Sequence, residues 1–217
     1  IAWYDLIPVL SYVFLRGTCR LCSGGISPLY PVIEVLAVVA GVLVWADSMQ
    51  YTFPTPYYAA ARAVCYFFLF SGLIIATRTD LQAMVIPRLV ITCLVPIGIL
   101  GAALGVLSIS LPMSIVGGVL GYVSLWALSA AFRLATGKDG IGEGDMELLG
   151  VLGLYFGPIG IWAILLTSSC IGSISALFYL VFTGQGRNTR IPFGPFLSIA
   201  AFVYLYAQHW FARFLMG

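Results

Sequence analysis

Seven apolar runs, at about 30–46, 57–77, 88–107, 112–135, 146–156, 158–182 and 193–215, take up most of this 217-residue chain. A helix that crosses ~30 Å of hydrocarbon needs ~20 apolar residues, and most of the runs reach that length with their flanks. None shows the ~10-residue alternation of a membrane barrel strand. Only 8% of the residues are charged, against roughly 25% in soluble domains, so the chain lacks the polar surface to coat a water-soluble globule. Its 24 glycines suit membrane helices whose backbones approach closely where side chains are small. A net charge of +2 with no basic stripe offers nucleic acid nothing to bind. The composition implies an all-α polytopic membrane protein of about seven membrane helices, in contact with the lipid bilayer.

Residues 1–29 are the most polar long stretch and read as a loop outside the bilayer, with a short apolar helix over 7–15. Residues 30–217 then form one membrane domain, with neither an internal repeat nor a low-complexity tract. Basic residues set the orientation, because cytoplasmic loops carry the excess of Lys and Arg. With the 1–29 loop in the cytoplasm, eight of the 10 basic residues fall on that side, and only Arg62 and Arg213 lie at or near the other. One stretch departs from simple alternation. Asp145 and Arg187 both belong to the cytoplasmic side, yet the residues of 146–182 span only about 55 Å as helix, too little for two crossings and a turn. Gly157-Pro158 is the natural corner, which leaves a short helix directly after Asp145.

Two aspartates stand at that same side. Asp80 closes the 57–77 run within IIATRTDLQAMVIP, and Asp145 opens the short helix within GIGEGDMELL. Ionisable groups at membrane depth are costly and mark function. Two carboxylates that share a site divide their protonation states, which is what hydrolysis by an aspartate pair requires: one takes a proton from water while the other gives one to the amide carbonyl. The plainer alternative makes Asp145 a helix cap that meets orphan N–H groups and the positive dipole end. Gly142 and Gly144 favour the first alternative, since glycines leave the carboxylate unobstructed and let a substrate strand approach.

Gly142-x-Gly144-Asp145 matches the GxGD signature of intramembrane aspartyl proteases, and the longer GKDGIGEGD of 137–145 closely resembles the second-aspartate motif of type IV prepilin peptidases. IPVLSY (7–12), RGxCxxC (16–22), ISPLYPxxE (26–34) and IPFGPFL (191–197) occur in the same order as in that family, and Asp80 stands seven residues before Pro87. The resemblance runs from Ile7 to about Leu197. It implies a bifunctional enzyme of the bacterial inner membrane that removes the short basic leader of prepilins and pseudopilins on the cytoplasmic side. It would then methylate the new N-terminal amine with S-adenosylmethionine. Asp80 and Asp145 match the catalytic pair, with Gly142 and Gly144 as motif residues beside them and no catalytic metal. Many members carry a second acid two residues after the first Asp, and Asp or Asn after the Pro; this chain has Gln82 and Arg88.

Cys19-x-x-Cys22 reads either as two of the four ligands of a structural zinc site or as a redox pair, a reducing cytoplasm arguing against a structural disulfide; the resemblance implies zinc, with the family's other CxxC pair expected just upstream of Ile1. Glu34 reads either as an acid complementing a helix N-terminus or as part of the methyl-transfer site, which is assigned to the 1–34 loop and the 183–194 turn. Two rival readings fit the sequence less well. A transporter or channel with paired aspartates at a broken helix leaves the cysteine loop and IPFGPFL unexplained. A protease of the presenilin type would carry Tyr before the first Asp and a Pro-Ala-Leu tripeptide, whereas Thr79 precedes Asp80 and no such tripeptide occurs.

Overall fold

A computed structural model describes residues 3–7, 9–51, 55–137, 140–183 and 192–216. Among the described residues a 3-10 turn, Trp3–Leu6, precedes seven helices: α1 (Leu10–Phe14), α2 (Leu29–Met49), α3 (Pro56–Ala83), α4 (Arg88–Ala103), α5 (Leu111–Thr136), α6 (Glu143–Thr183) and α7 (Gly194–Met216). By length and composition α2, α3, α5 and α6 are each able to cross a membrane, and α4 and the first part of α7 are shorter apolar helices. The protein is an all-α polytopic membrane protein.

Helix ends follow local chemistry. Thr55 is extended and Pro56 opens α3, where a missing N–H costs nothing. The polar segment after Thr77 keeps good helix formers, so α3 runs past the end of the apolar stretch as far as Ala83. Asp80 therefore lies inside the helix, one turn before its end, rather than at the margin of a 57–77 span. Met84 then takes the left-handed conformation at φ 53° and donates its N–H to the Asp80 carbonyl. Glu34 falls in the second turn of α2, whose first turn holds no acid, so it does not cap the dipole.

α6 consists of two arms, 143–156 and 158–183. Gly157 breaks the helix at φ 70°, ψ −174°, a conformation that glycine adopts without steric penalty. The arms run in opposite directions. Along the first, the chain leaves Asp145 and reaches Tyr155, whose hydroxyl donates to the Leu94 carbonyl at 3.0 Å. Along the second, Gly160 faces Tyr204 and Gly172 faces Phe196, so this arm descends alongside α7 toward Gly194. The first arm is about 16 Å from Asp145 to Phe156 and ends against Tyr66, one turn short of Arg62.

Small residues let α5 and the first arm of α6 meet backbone to backbone. The Cα of Gly117 and Gly153 face each other's carbonyls, Gly121 lies on the Leu149 carbonyl, and the Ser114 hydroxyl donates to the Leu154 carbonyl at 2.6 Å. The core is fully buried around Leu69 and Leu73 of α3, Leu148 and Leu152 of α6, and Leu197 and Leu205 of α7. At the end of the bundle away from Asp80, Arg62 is entirely buried. It donates to Asp47 at 3.1 Å and to Ser108 at 2.6 Å, and packs over the rings of Tyr51 and Tyr66.

Candidate active site

Asp80 and Asp145 come from different helices and line one cavity of about 490 Å³. The wall between them is the 84–88 connection from α3 to α4 and the 142–147 turn that opens α6. Asp80 is 5% exposed. Its Oδ2 accepts the backbone N–H of Gly194, the first residue of α7, at 2.9 Å. A Cβ at 194 would lie 2.7 Å from that oxygen, so only glycine brings this N–H to the carboxylate. Asp145 is in the first turn of α6, three residues after Gly142, and a backbone hydrogen bond from Gly142 reaches its carboxylate. That contact is half of a capping box. Capping leaves the other oxygen over: Oδ1 of Asp145 is buried and has no hydrogen-bond partner. The capping and chemical readings of Asp145 thus describe two oxygens of one side chain. The two aspartates are close enough to interact electrostatically, and like charges this placed resist simultaneous ionisation.

The two glycines of the turn differ in role. A Cβ on Gly144 would meet the Cβ of Ile86 at 3.0 Å, so its absence lets the 84–87 connection lie against the turn. A Cβ on Gly142 would make only ordinary contact with Asp145. The rim is charged. Arg88, at the start of α4, reaches Glu143 at 3.8 Å and Glu147 at 4.0 Å, and all three line the cavity.

Two family models match the chain. Residues 67–179, which contain both aspartates, match the Type IV leader peptidase family, and residues 1–48 match the Bacterial Peptidase A24 N-terminal domain. The chain belongs to the type IV leader peptidase family. The prepilin leader peptidase/N-methyltransferase of Xanthomonas campestris pv. campestris is 33% identical over 201 residues, covering 93% of this chain and 67% of the relative. Those of Aeromonas salmonicida and Pseudomonas aeruginosa are 35% and 32% identical, over 92% and 93% of this chain and 65% and 66% of their own lengths. The chain thus spans about two thirds of the length of these curated relatives. No solved structure matches it.

The remaining expected site residues divide. The Glu34 Oε2 accepts the Val9 N–H at 2.7 Å, so this carboxylate ties the first segment to α2. Most of the 183–194 turn, at 184–191, lies outside the described residues, as do Lys138 and Asp139. Cys19 and Cys22 form a tight turn in which Ser23 N–H donates to the Cys19 carbonyl and Cys19 N–H to Gly24. Backbone hydrogen bonds from Cys22 and Leu21 pull the Cys19 thiol below its ordinary value, which suits a metal ligand. Two thiols are half of a tetrahedral set, and no group of three or more His, Cys, Asp or Glu that could hold a metal occurs among the described residues. Gly194, Arg88, Glu143 and Glu147 are site residues that sequence reasoning did not assign. Gly194 was visible only as the glycine within IPFGPFL.

Proposed function

We propose that this chain cleaves the leader peptide of type IV prepilins or pseudopilins at the cytoplasmic face of the bacterial inner membrane, with Asp80 and Asp145 as the catalytic pair, and then N-methylates the new N-terminus. The observation that carries the reading is the convergence of the two carboxylates, from α3 and α6, on one cavity in a chain of the leader peptidase family. The cytoplasmic assignment draws on Arg16, Arg20, Arg78, Arg88 and Arg133, which gather toward the Asp80 end by the alternation of helices.

The chemistry follows from the pair. The Gly194 N–H holds Oδ2 of Asp80 and leaves its Oδ1 for a water, while Oδ1 of Asp145 faces no protein partner. One proton shared by the pair leaves one carboxylate to accept from water and one carboxyl to donate. Water oxygen attacks the scissile carbonyl carbon as its proton passes to the carboxylate, and the carbonyl oxygen takes the other proton. Collapse of the tetrahedral intermediate breaks the C–N bond, and the leaving amine is protonated. Glu143 and Glu147 at the rim fit a basic leader. For the second reaction, S-adenosylmethionine supplies an electrophilic methyl group, which the freed amine accepts.

The test is cleavage of a prepilin by the purified full chain in detergent, read as loss of the leader by intact mass. Asp80→Asn and Asp145→Asn are each expected to abolish cleavage while keeping the wild-type helical signal, since an amide cannot exchange the proton. Robust cleavage by either variant overturns the dyad.

A further inference from the structure

A threonine inside a helix ordinarily spends its hydroxyl on a carbonyl one turn earlier. Thr79, Thr92 and Thr136 do so, donating to Ile75 at 3.1 Å, to Arg88 at 2.9 Å and to Phe132 at 2.8 Å. Thr77 departs from this pattern. Its hydroxyl donates across to Ser198 of α7 at 3.0 Å, and Ser198 donates in turn to the Gly194 carbonyl at 2.9 Å. The Gly194 N–H then donates to Oδ2 of Asp80 at 2.9 Å. Thr77 and Asp80 stand on one face of α3, and Gly194 and Ser198 on one face of α7, by their spacings of three and four residues. The bonds therefore close into a ring that begins and ends on α3.

The start of α7 explains why the Gly194 N–H is the one that reaches Asp80. A helix leaves its first N–H groups without partners of its own. Pro195 has no N–H to place, and Phe196 and Leu197 donate to the Phe193 carbonyl at 3.0 and 3.2 Å. The Gly194 N–H is left for a partner outside the helix, and the Asp80 carboxylate is that partner.

We propose that Thr77 and Ser198 are positioning residues for Asp80 that act through Gly194, an inference that rests on Asp80 belonging to the cleavage pair proposed above. Gly194 is gripped on both sides of its Cα, with Ser198 on the carbonyl and Asp80 on the N–H. Glycine has the widest choice of φ and ψ, so holding its carbonyl narrows the directions in which its N–H can point. A hydroxyl that accepts one hydrogen bond also donates the next one more strongly, so Thr77 tightens the grip of Ser198 on Gly194. Both hydroxyls are half-buried. A plain strut between α3 and α7 would contribute to stability alone. A positioning role moves the Gly194 amide and the rate.

Both are measured on the purified full chain in detergent. Isotope-labelled glycine gives the amide resonances, and the Gly194 signal is the one missing from Gly194→Ala. Thr77→Val, which keeps the side chain's shape, and Ser198→Ala are each expected to shift that signal. Each should also lower kcat for prepilin cleavage about tenfold, since a displacement near 1 Å at reacting groups costs on the order of 10²-fold. KM should stay within about threefold of the wild type. Thr77→Ser keeps the hydroxyl and should recover both readouts. Thr79→Val removes a hydroxyl that bonds within α3 and should change neither. In a Gly194→Ala background, Thr77→Val should lower kcat by no more than about a further twofold, because losses along one shared path do not add. Thermal melts of the same preparations show which variants are folded, and Ser198→Ala carries the comparison if Thr77→Val is not.

An unmoved Gly194 signal in the folded variants overturns the inference, as does a moved signal with wild-type kcat. A loss that Thr77→Ser does not recover, or full additivity with Gly194→Ala, also overturns it. Robust cleavage by Asp80→Asn would remove the catalytic pair and this role with it. An inactive Asp80→Asn beside a Thr77→Val of wild-type rate would strike this inference alone.

Discussion

Gly194→Ala adds one methyl group beside Asp80, and the structure fixes what it meets. The new Cβ would stand 2.7 Å from Oδ2 of Asp80 and 3.3 Å from its Cγ, so the carboxylate or the start of α7 must give by about 0.7 Å to restore ordinary contact. The same oxygen holds the Gly194 N–H at 2.9 Å. Either movement stretches that hydrogen bond, which as a bond to a charged acceptor is worth about 1.5–3 kcal/mol. A displacement near 1 Å at reacting groups costs on the order of 10²-fold in rate. We therefore expect kcat for leader cleavage to fall about 10- to 100-fold, with KM for prepilin within about threefold, because nothing at the rim has moved. Backbone propensity acts the other way, since replacing Gly by Ala in a helix gains up to ~1 kcal/mol. The thermal midpoint should thus change little while activity collapses. Cleavage time courses read by intact mass, beside melts of the same preparations, make the comparison. Wild-type kcat in Gly194→Ala would refute the claim that Gly194 holds Asp80 in its working position.

Arg62→Leu leaves Asp47 buried without its partner and is expected to cost about 3–5 kcal/mol of stability, read as a lowered melting midpoint, with part of it recovered in the Asp47→Leu, Arg62→Leu double variant; a double variant worse than Arg62→Leu would contradict this account. Gly153→Leu drives a side chain into the Gly117 backbone, where no flexible group can yield, and should destabilise by about 1–3 kcal/mol or more; a melt unchanged from wild type would mean that α5 and α6 are not seated as described. Zinc content, measured by emission spectrometry, should fall on replacing Cys19 and Cys22 together by Ser, and equal zinc in both proteins would remove these thiols as ligands.

The order of helices was legible because hydropathy is set residue by residue, and the aspartates were legible because a charge at membrane depth is costly wherever it occurs. What the sequence hid depends on partners distant in the chain. The donor to Asp80 is 114 residues away at Gly194, and nothing in IPFGPFL says that its glycine faces a carboxylate. Arg62 reads as a charge near the far surface, but it is wholly buried because Asp47, Ser108 and two tyrosine rings surround it. The end of α3 was misplaced for a local reason. Hydropathy falls after Thr77 while helix propensity does not, and the helix follows propensity until Met84 turns left-handed. Glu34 shows the converse: its position suggested a dipole partner, and its acceptor is spent on the Val9 N–H instead.

The two carboxylates are held by different means, and that difference bears on how the site responds to change. Asp145 rides on the first arm of α6, which the glycine seam fuses to α5 along Gly117, Gly121 and Gly153. Close backbone packing of this kind is rigid, because no side chain lies between to rearrange. Asp80 rides on α3, which is tied to α7 by the Gly194 N–H and by Thr77 donating to Ser198 at 3.0 Å. The cavity forms where these two clamped pairs meet, and Gly157 allows it by ending the first arm within the bundle and sending the chain back to α7. Dyad geometry is therefore a property of how the pairs sit against each other, rather than of either helix alone. Loosening the glycine seam should move Asp145 and lower stability together, since the seam is also core. Crowding Gly194 should move Asp80 alone, because the contact it disturbs is one hydrogen bond at the edge of that core.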